Sequence, residues 1–128
     1  MGGLERFAAE VGQAAGREGD WSASVSSGLR AGLEFLAADP QLARLLLVES
    51  LDPAGPGRSE YEDALRRLAE ALRPPAGLVD GKAVSDETLR LLAGGLVSHA
   101  TGRVLAGEAE RLPEDHDLLL EFLARYTF

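Results

Sequence analysis

The sequence contains no cysteine, one methionine, one tryptophan and only 5% aromatic residues among its 128 positions. The absence of cysteine excludes a disulfide framework and thiolate chemistry, and it fits a cytoplasmic protein. No apolar run approaches the roughly 20 residues that a membrane-spanning helix needs. We therefore expect a soluble protein that is located in the cytoplasm and has no membrane partner.

Basic charge is also scarce, because 13 Lys and Arg residues face 21 Asp and Glu residues and the formal net charge is −8. Nucleic-acid surfaces need clustered Lys and Arg, whereas the basic residues here are scattered. The composition argues against a DNA-binding surface within this chain. A length of 128 residues predicts one domain that spans positions 1–128.

Apolar residues recur at spacings of three and four along most of the chain, and no segment shows the alternation of a strand. This periodicity predicts an all-α fold of about six helices. N-caps are predicted before three of the helices, at Asp20, Asp39 and Ser85. Ser59 with Glu62 forms a capping-box pattern. The predicted helices cover about 4–17, 21–38, 40–50, 59–73, 85–106 and, opened by Pro113, 113–126.

Three polar side chains interrupt apolar helical stripes and are candidates for chemistry. Glu49 follows the apolar stripe of the third helix, where a buried carboxylate is costly, and it could pair with Arg103 or contact a ligand. His99 lies mid-helix beside Leu96, and Tyr61 begins the stripe of the fourth helix. Each also has an ordinary interpretation, a salt bridge or solvent exposure for Glu49 and a core position for the other two.

Metal and catalytic motifs are missing from the sequence. His99 and His116 lack the spacing of metal ligands, and the run from Asp115 to Asp117 reads as solvated. No nucleophile motif or phosphate-binding glycine loop is present. We expect no metal, no cofactor and no enzymatic activity, and an enzyme that uses Glu49 or His99 as a general base stays an unsupported alternative.

A stripe of small residues in the fifth helix, Gly95, Ser98, Gly102 and Ala106, predicts close approach of another helix. Glycine inside a helix costs about 1 kcal/mol relative to alanine, so such positions need a reason. The approaching helix could belong to the same bundle or to a second subunit.

The chain resembles the C-terminal, effector-binding half of TetR-type transcriptional regulators. The resemblance lies in the order and spacing of Trp21, Phe35, Asp39, Pro40, Leu42, Ala43, Arg44, Glu49, Ala54, Gly55, Pro56, Gly94, Gly95, Gly107, Leu112, Pro113 and an apolar C-terminal helix from Leu118 to Tyr126. Such regulators begin with a three-helix DNA-binding domain, and no segment here reads as one.

This resemblance implies an antiparallel helical bundle whose last two helices form a dimeric four-helix bundle with a second copy. The implied dimer interface consists of Leu91, Gly95, Ser98, Gly102, Ala106, Leu118, Leu119, Phe122, Leu123 and Tyr126. It also implies an effector pocket among the middle helices, lined by Trp21, Phe35, Leu46, Glu49, Tyr61, Leu65, Leu92, Leu96, His99 and Arg103.

The expected function is effector sensing and dimerisation in a TetR-type regulator, taken to be a repressor. The expected partners are a second copy of the chain, a small and largely apolar effector, and DNA only through an N-terminal domain outside this chain. The main alternative is a purely structural dimerisation module whose core is filled.

Overall fold

The computed structural model describes residues 2–49, 52, 54–55, 58–75, 78–79 and 82–127. Six α-helices are described, and the predicted all-α class is confirmed. Two two-residue strands, too short for an alternating pattern to show in the sequence, pair in antiparallel fashion between the fourth and fifth helices. The elements are α1 (Gly3–Gly16), α2 (Trp21–Ala38), α3 (Pro40–Leu47), α4 (Arg58–Ala71), β1 (Leu78–Val79), β2 (Lys82–Ala83), α5 (Asp86–Leu105), a 3-10 helix (Ala109–Asp115) and α6 (His116–Thr127).

Three of the predicted N-caps are confirmed by hydrogen bonds. The side chains of Asp20, Asp39 and Ser85 each accept a bond from the backbone N–H three residues later, at 3.1 Å in each case. A capping oxygen satisfies one of the backbone donors that the first helical turn leaves open. Local sequence therefore determines where α2, α3 and α5 begin.

Two predicted helix starts are wrong. Helix α4 already includes Arg58, so Ser59 lies inside the helix, and Glu62 accepts a bond from the Arg58 guanidinium at 3.0 Å. Helix α6 begins at His116, because the residues around Pro113 form the 3-10 helix. Ser50 and Pro56, which the sequence placed at the end of the third helix and in the following breaker, lie outside the described residues.

The core is built around α2 and α5. Helix α2 packs against α1, α3, α6 and the 3-10 helix, and its start is tied to the end of α6 by a 2.9 Å bond from Trp21 Nε1 to the Thr127 carbonyl oxygen. The fully buried leucines Leu89, Leu112 and Leu123 come from three different elements. None of the described helices combines the length and the apolar character that crossing a lipid bilayer requires.

Helix α1 approaches α2 closely across two glycines. A Cβ atom at Gly32 would lie 3.3 Å from side-chain atoms of Phe7 and Val11, and one at Gly28 would lie 3.4 Å from the Ala15 Cβ. Ser24 Oγ adds a 2.6 Å hydrogen bond to the Ala15 carbonyl oxygen. Larger residues at the two glycines would push α1 away from α2.

We expect Gly32→Val to lower the free energy of unfolding by about 1 to 3 kcal/mol, because its added methyl groups overpack this contact. Gly12→Val is the matched control, since nothing lies within 4 Å of a Cβ at Gly12 in the same helix pair. Urea unfolding followed by circular dichroism measures both. Equal effects of the two variants would contradict the close packing of α1 on α2.

Candidate functional site

An apolar cavity of about 160 Å³ lies among the helices, and all six α-helices contribute to its wall. Helix α1 supplies Leu4, Phe7 and Val11, while α6 supplies Leu119 and Leu123. None of the described residues that line the cavity carries a charged side chain. The other lining residues are Ala15, Trp21, Ser24, Val25, Gly28, Leu29, Gly32, Leu33, Leu36, Leu46, Leu47, Tyr61, Ala64, Leu65, Leu68, Ala71, Leu72, Leu96, Val97 and Ala100.

Three lining residues carry polar groups, and two of these groups are bonded within the chain. Trp21 donates to the Thr127 carbonyl oxygen, and Ser24 donates to the Ala15 carbonyl oxygen. Tyr61 is partly buried, and burial raises the pKa of its phenol. The Arg58 guanidinium carbon lies 5.7 Å from the centroid of the Tyr61 ring.

Half of the residues predicted to contact an effector line this cavity. They are Trp21, Leu46, Tyr61, Leu65 and Leu96. Leu92 is buried in the core outside the cavity wall, and Phe35 packs its ring edge-on against Phe7 with centroids 5.6 Å apart. The contributions of α1 and α6 were not predicted, although the apolar periodicity of both helices shows in the sequence.

Glu49 is exposed, which agrees with its ordinary interpretation as a solvent-exposed residue and contradicts a carboxylate on a buried apolar face. Helix α3 ends at Leu47, and the face formed by its leucines does not continue to Glu49. The residue instead borders a separate groove of about 500 Å³ together with Glu5, Glu60 and Asp63. It makes no pair with Arg103.

His99 and Arg103 lie outside the cavity wall and bind Asp115, which the sequence analysis missed as a partner. Arg103 donates to both carboxylate oxygens, from Nε at 2.8 Å and from Nη2 at 2.7 Å, and His99 Nε2 donates at 2.8 Å. Asp115 is only 7% exposed. The Arg103 guanidinium holds the pKa of Asp115 well below its ordinary value, and Asp115 raises the pKa of Arg103.

The expectation of a solvated run from Asp115 to Asp117 holds for Asp117 alone, because Asp115 and His116 are both buried. His116 Nε2 lies 3.0 Å from the Ser26 carbonyl oxygen, and Nδ1 lies 3.3 Å from an Arg30 nitrogen. The start of α6 is thereby tied to the middle of α2. The available signal was an acid close to Pro113, since a partly buried arginine such as Arg103 favours an anionic partner.

The cluster of His99, Arg103 and Asp115 connects α5 to the 3-10 helix and has little catalytic potential. Its acceptor and donor groups bind one another, and no side-chain hydroxyl of the described residues hydrogen-bonds His99, as a nucleophile paired with a base would. Within the described ranges, no group of three or more acidic or histidine side chains is arranged to hold a metal ion. The cavity is therefore the better candidate for a functional site.

Two of the predicted interface residues are buried, and the others are exposed or partly exposed. Leu119 and Leu123 are 5% and 1% exposed and point into the chain's own core, so their placement in an interface is wrong for this conformation. The remaining residues form what we call the α5/α6 face. It consists of Leu91, Gly95, Ser98, Gly102, Ala106, Leu118, Phe122 and Tyr126.

The α5/α6 face leaves large apolar side chains in solvent. Leu91, Leu118 and Tyr126 are 75%, 59% and 47% exposed. The Phe122 ring packs on Gly95, where a Cβ atom would lie 3.2 Å away, and this contact joins the two helices into one surface. By contrast, nothing lies within 4 Å of a Cβ at Gly102, so the space above that residue is open.

No protein-family model, curated protein or solved structure matches the chain significantly. The resemblance to TetR-type regulators therefore stays a prediction from the sequence. Evidence for function comes from the cavity and from the α5/α6 face.

We expect Asp115→Asn to lower the free energy of unfolding at neutral pH by about 2 kcal/mol, because the charge-assisted bonds from Arg103 and His99 are weakened. The depressed pKa of Asp115 means that this stabilisation is complete above the ordinary value of 3.8 and is lost as the pH falls below it. The difference between wild type and variant should therefore shrink on acidification.

Thermal unfolding from neutral to acidic pH measures this difference. Asp117→Asn is the matched control, since the Asp117 side chain is 99% exposed and an exposed charge contributes little. An Asp115→Asn protein as stable as the control at neutral pH would contradict the role of this cluster.

Proposed function

We propose that this chain is the effector-binding and dimerisation domain of a TetR-type transcriptional regulator, and that the apolar cavity is its effector site. The observation that carries the proposal is a cavity of about 160 Å³ walled by all six α-helices. Unfilled apolar space on this scale costs a few kcal/mol of stability, against a typical total of about 5 to 15 kcal/mol. A ligand that fills the space offsets that cost.

The position of α1 supports a sensing role. Three large side chains of α1 line the cavity, so a bound molecule contacts this helix directly. In TetR-type regulators the first helix of this domain connects to the DNA-binding part. An effector shifts α1 only if it binds two positions of that helix with unequal affinity.

The α5/α6 face supports self-association. An exposed apolar surface made by two neighbouring helices is typical of a protein interface, and a two-fold axis would place the same face of a second copy against it. The open space at Gly102 allows a partner helix to approach closely. The same face would also serve a purely structural dimerisation module, which differs by having no use for the cavity.

DNA binding is assigned to a separate N-terminal domain of the complete regulator. The net charge of −8 would repel phosphates from this chain. Repression by the complete regulator is proposed from the same family resemblance.

We expect the chain to form a homodimer and Gly102→Glu to convert it to a monomer, because a charged side chain would fill the contact between facing α5 helices. Gly12→Glu is the matched control, since Gly12 is also an exposed helical glycine with open space around its Cβ position. Sedimentation velocity at micromolar concentration measures both. A monomeric wild type, or a fully dimeric Gly102→Glu protein, would refute the interface.

We also expect some uncharged hydrophobic compounds in a screening panel to raise the melting temperature by mass action on the native state. Ala100→Leu adds three carbon atoms to the cavity wall, so it should raise the melting temperature without ligand by filling space and should lose the response to compounds. Ala38→Leu, at an exposed position outside the cavity, should keep the response. A panel without any stabilising compound would favour the structural module.

A further inference from the structure

The volume of the cavity limits the size of its ligand. In another protein an apolar cavity of about 150 Å³ stays dry and binds benzene. The volume of about 160 Å³ in this chain therefore fits one six-membered ring with one or two additional heavy atoms. A larger ligand would extend through the open side of the cavity or require the helices to move apart.

The lining of the cavity limits the charge of its ligand. No charged side chain is found among the described residues that line it, so an ionised ligand would lose its hydration without gaining a partner. The buried carboxylate of Asp115 is already bound by Arg103 and His99. A neutral molecule avoids this cost.

One polar group in the wall is available to a ligand. The indole of Trp21 and the hydroxyl of Ser24 are bonded to backbone carbonyls at 2.9 and 2.6 Å. The Tyr61 hydroxyl makes no hydrogen bond to any residue that the structure describes, and because no buried polar side-chain atom of the described residues lacks a partner, this hydroxyl remains accessible to solvent. Since burial raises the pKa of Tyr61, its phenol is protonated at neutral pH and can donate.

We propose that the cavity binds a neutral, single-ring molecule with one oxygen atom that accepts a hydrogen bond from the Tyr61 hydroxyl. This assignment rests on the proposed effector-binding function and specifies its ligand class. Apolar contact with the leucine-rich wall supplies the affinity, and the single hydrogen bond selects an oxygenated ring over a plain hydrocarbon.

Three probes of nearly equal shape test the assignment on the full chain by isothermal titration calorimetry. Toluene has no oxygen, 4-methylphenol has a neutral hydroxyl, and benzylamine, which has the same number of heavy atoms as 4-methylphenol, carries a positive charge at neutral pH. We expect the first two to bind the wild type and benzylamine not to bind. Tyr61→Phe should reduce the ratio of the 4-methylphenol association constant to that of toluene about tenfold, the value of one net hydrogen bond.

Tyr126→Phe is the matched control, because Tyr126 is the other tyrosine of the chain and lies on the exposed face of α6. It should leave the ratio unchanged, and unchanged toluene binding by Tyr61→Phe shows that this variant is folded. If toluene and 4-methylphenol both fail to bind the wild type, the proposed effector site itself is refuted. If toluene binds but the ratio is insensitive to Tyr61→Phe, or benzylamine binds equally well, only the ligand class is overturned.

Discussion

Helix α5 carries apolar or small residues on nearly all of its sides, and the rest of the chain does not cover all of them. This constraint governs the arrangement of the other helices. Its residues Leu92, Ala93, Leu96 and Ala100 are buried against the core, whereas Leu91 remains 75% exposed. A helix that is apolar or small nearly all round is stable only when several of its sides are covered. Covering the inner sides requires α3, α4 and α6 to surround it, and the uncovered side is what motivates the proposed second copy.

The cavity and the α5/α6 face share two helices, and this shared wall is how one could influence the other. On α6, Leu119 and Leu123 line the cavity while Leu118 and Tyr126 face outward. The Trp21–Thr127 hydrogen bond adds a second link, since Trp21 lines the cavity and Thr127 ends α6. A ligand that moves this wall would change the proposed dimerisation equilibrium, and by linkage the proposed dimerisation would change ligand affinity by the same factor.

Local signals in the sequence were sufficient for the fold class and for several helix starts. The caps at Asp20, Asp39 and Ser85 were predictable because each acts on a backbone N–H three residues away. The burial of Asp115 was missed, since it depends on pairing with Arg103 from another element, which local spacing does not specify.

The candidate site shows the same difference between what local spacing predicts and what it does not. Apolar positions at helical spacing indicated that Tyr61, Leu65 and Leu96 point inward, and these three do line the cavity. Glu49 was misplaced because helical spacing was extended beyond the true end of α3 at Leu47.

The central claim, that the native chain holds a vacant apolar cavity, is tested most directly by diffraction from crystals pressurised with xenon, which enters such cavities. The account predicts xenon bound among Leu65, Val97 and Leu123. Crystals that take up xenon only at other positions, or not at all, would contradict it.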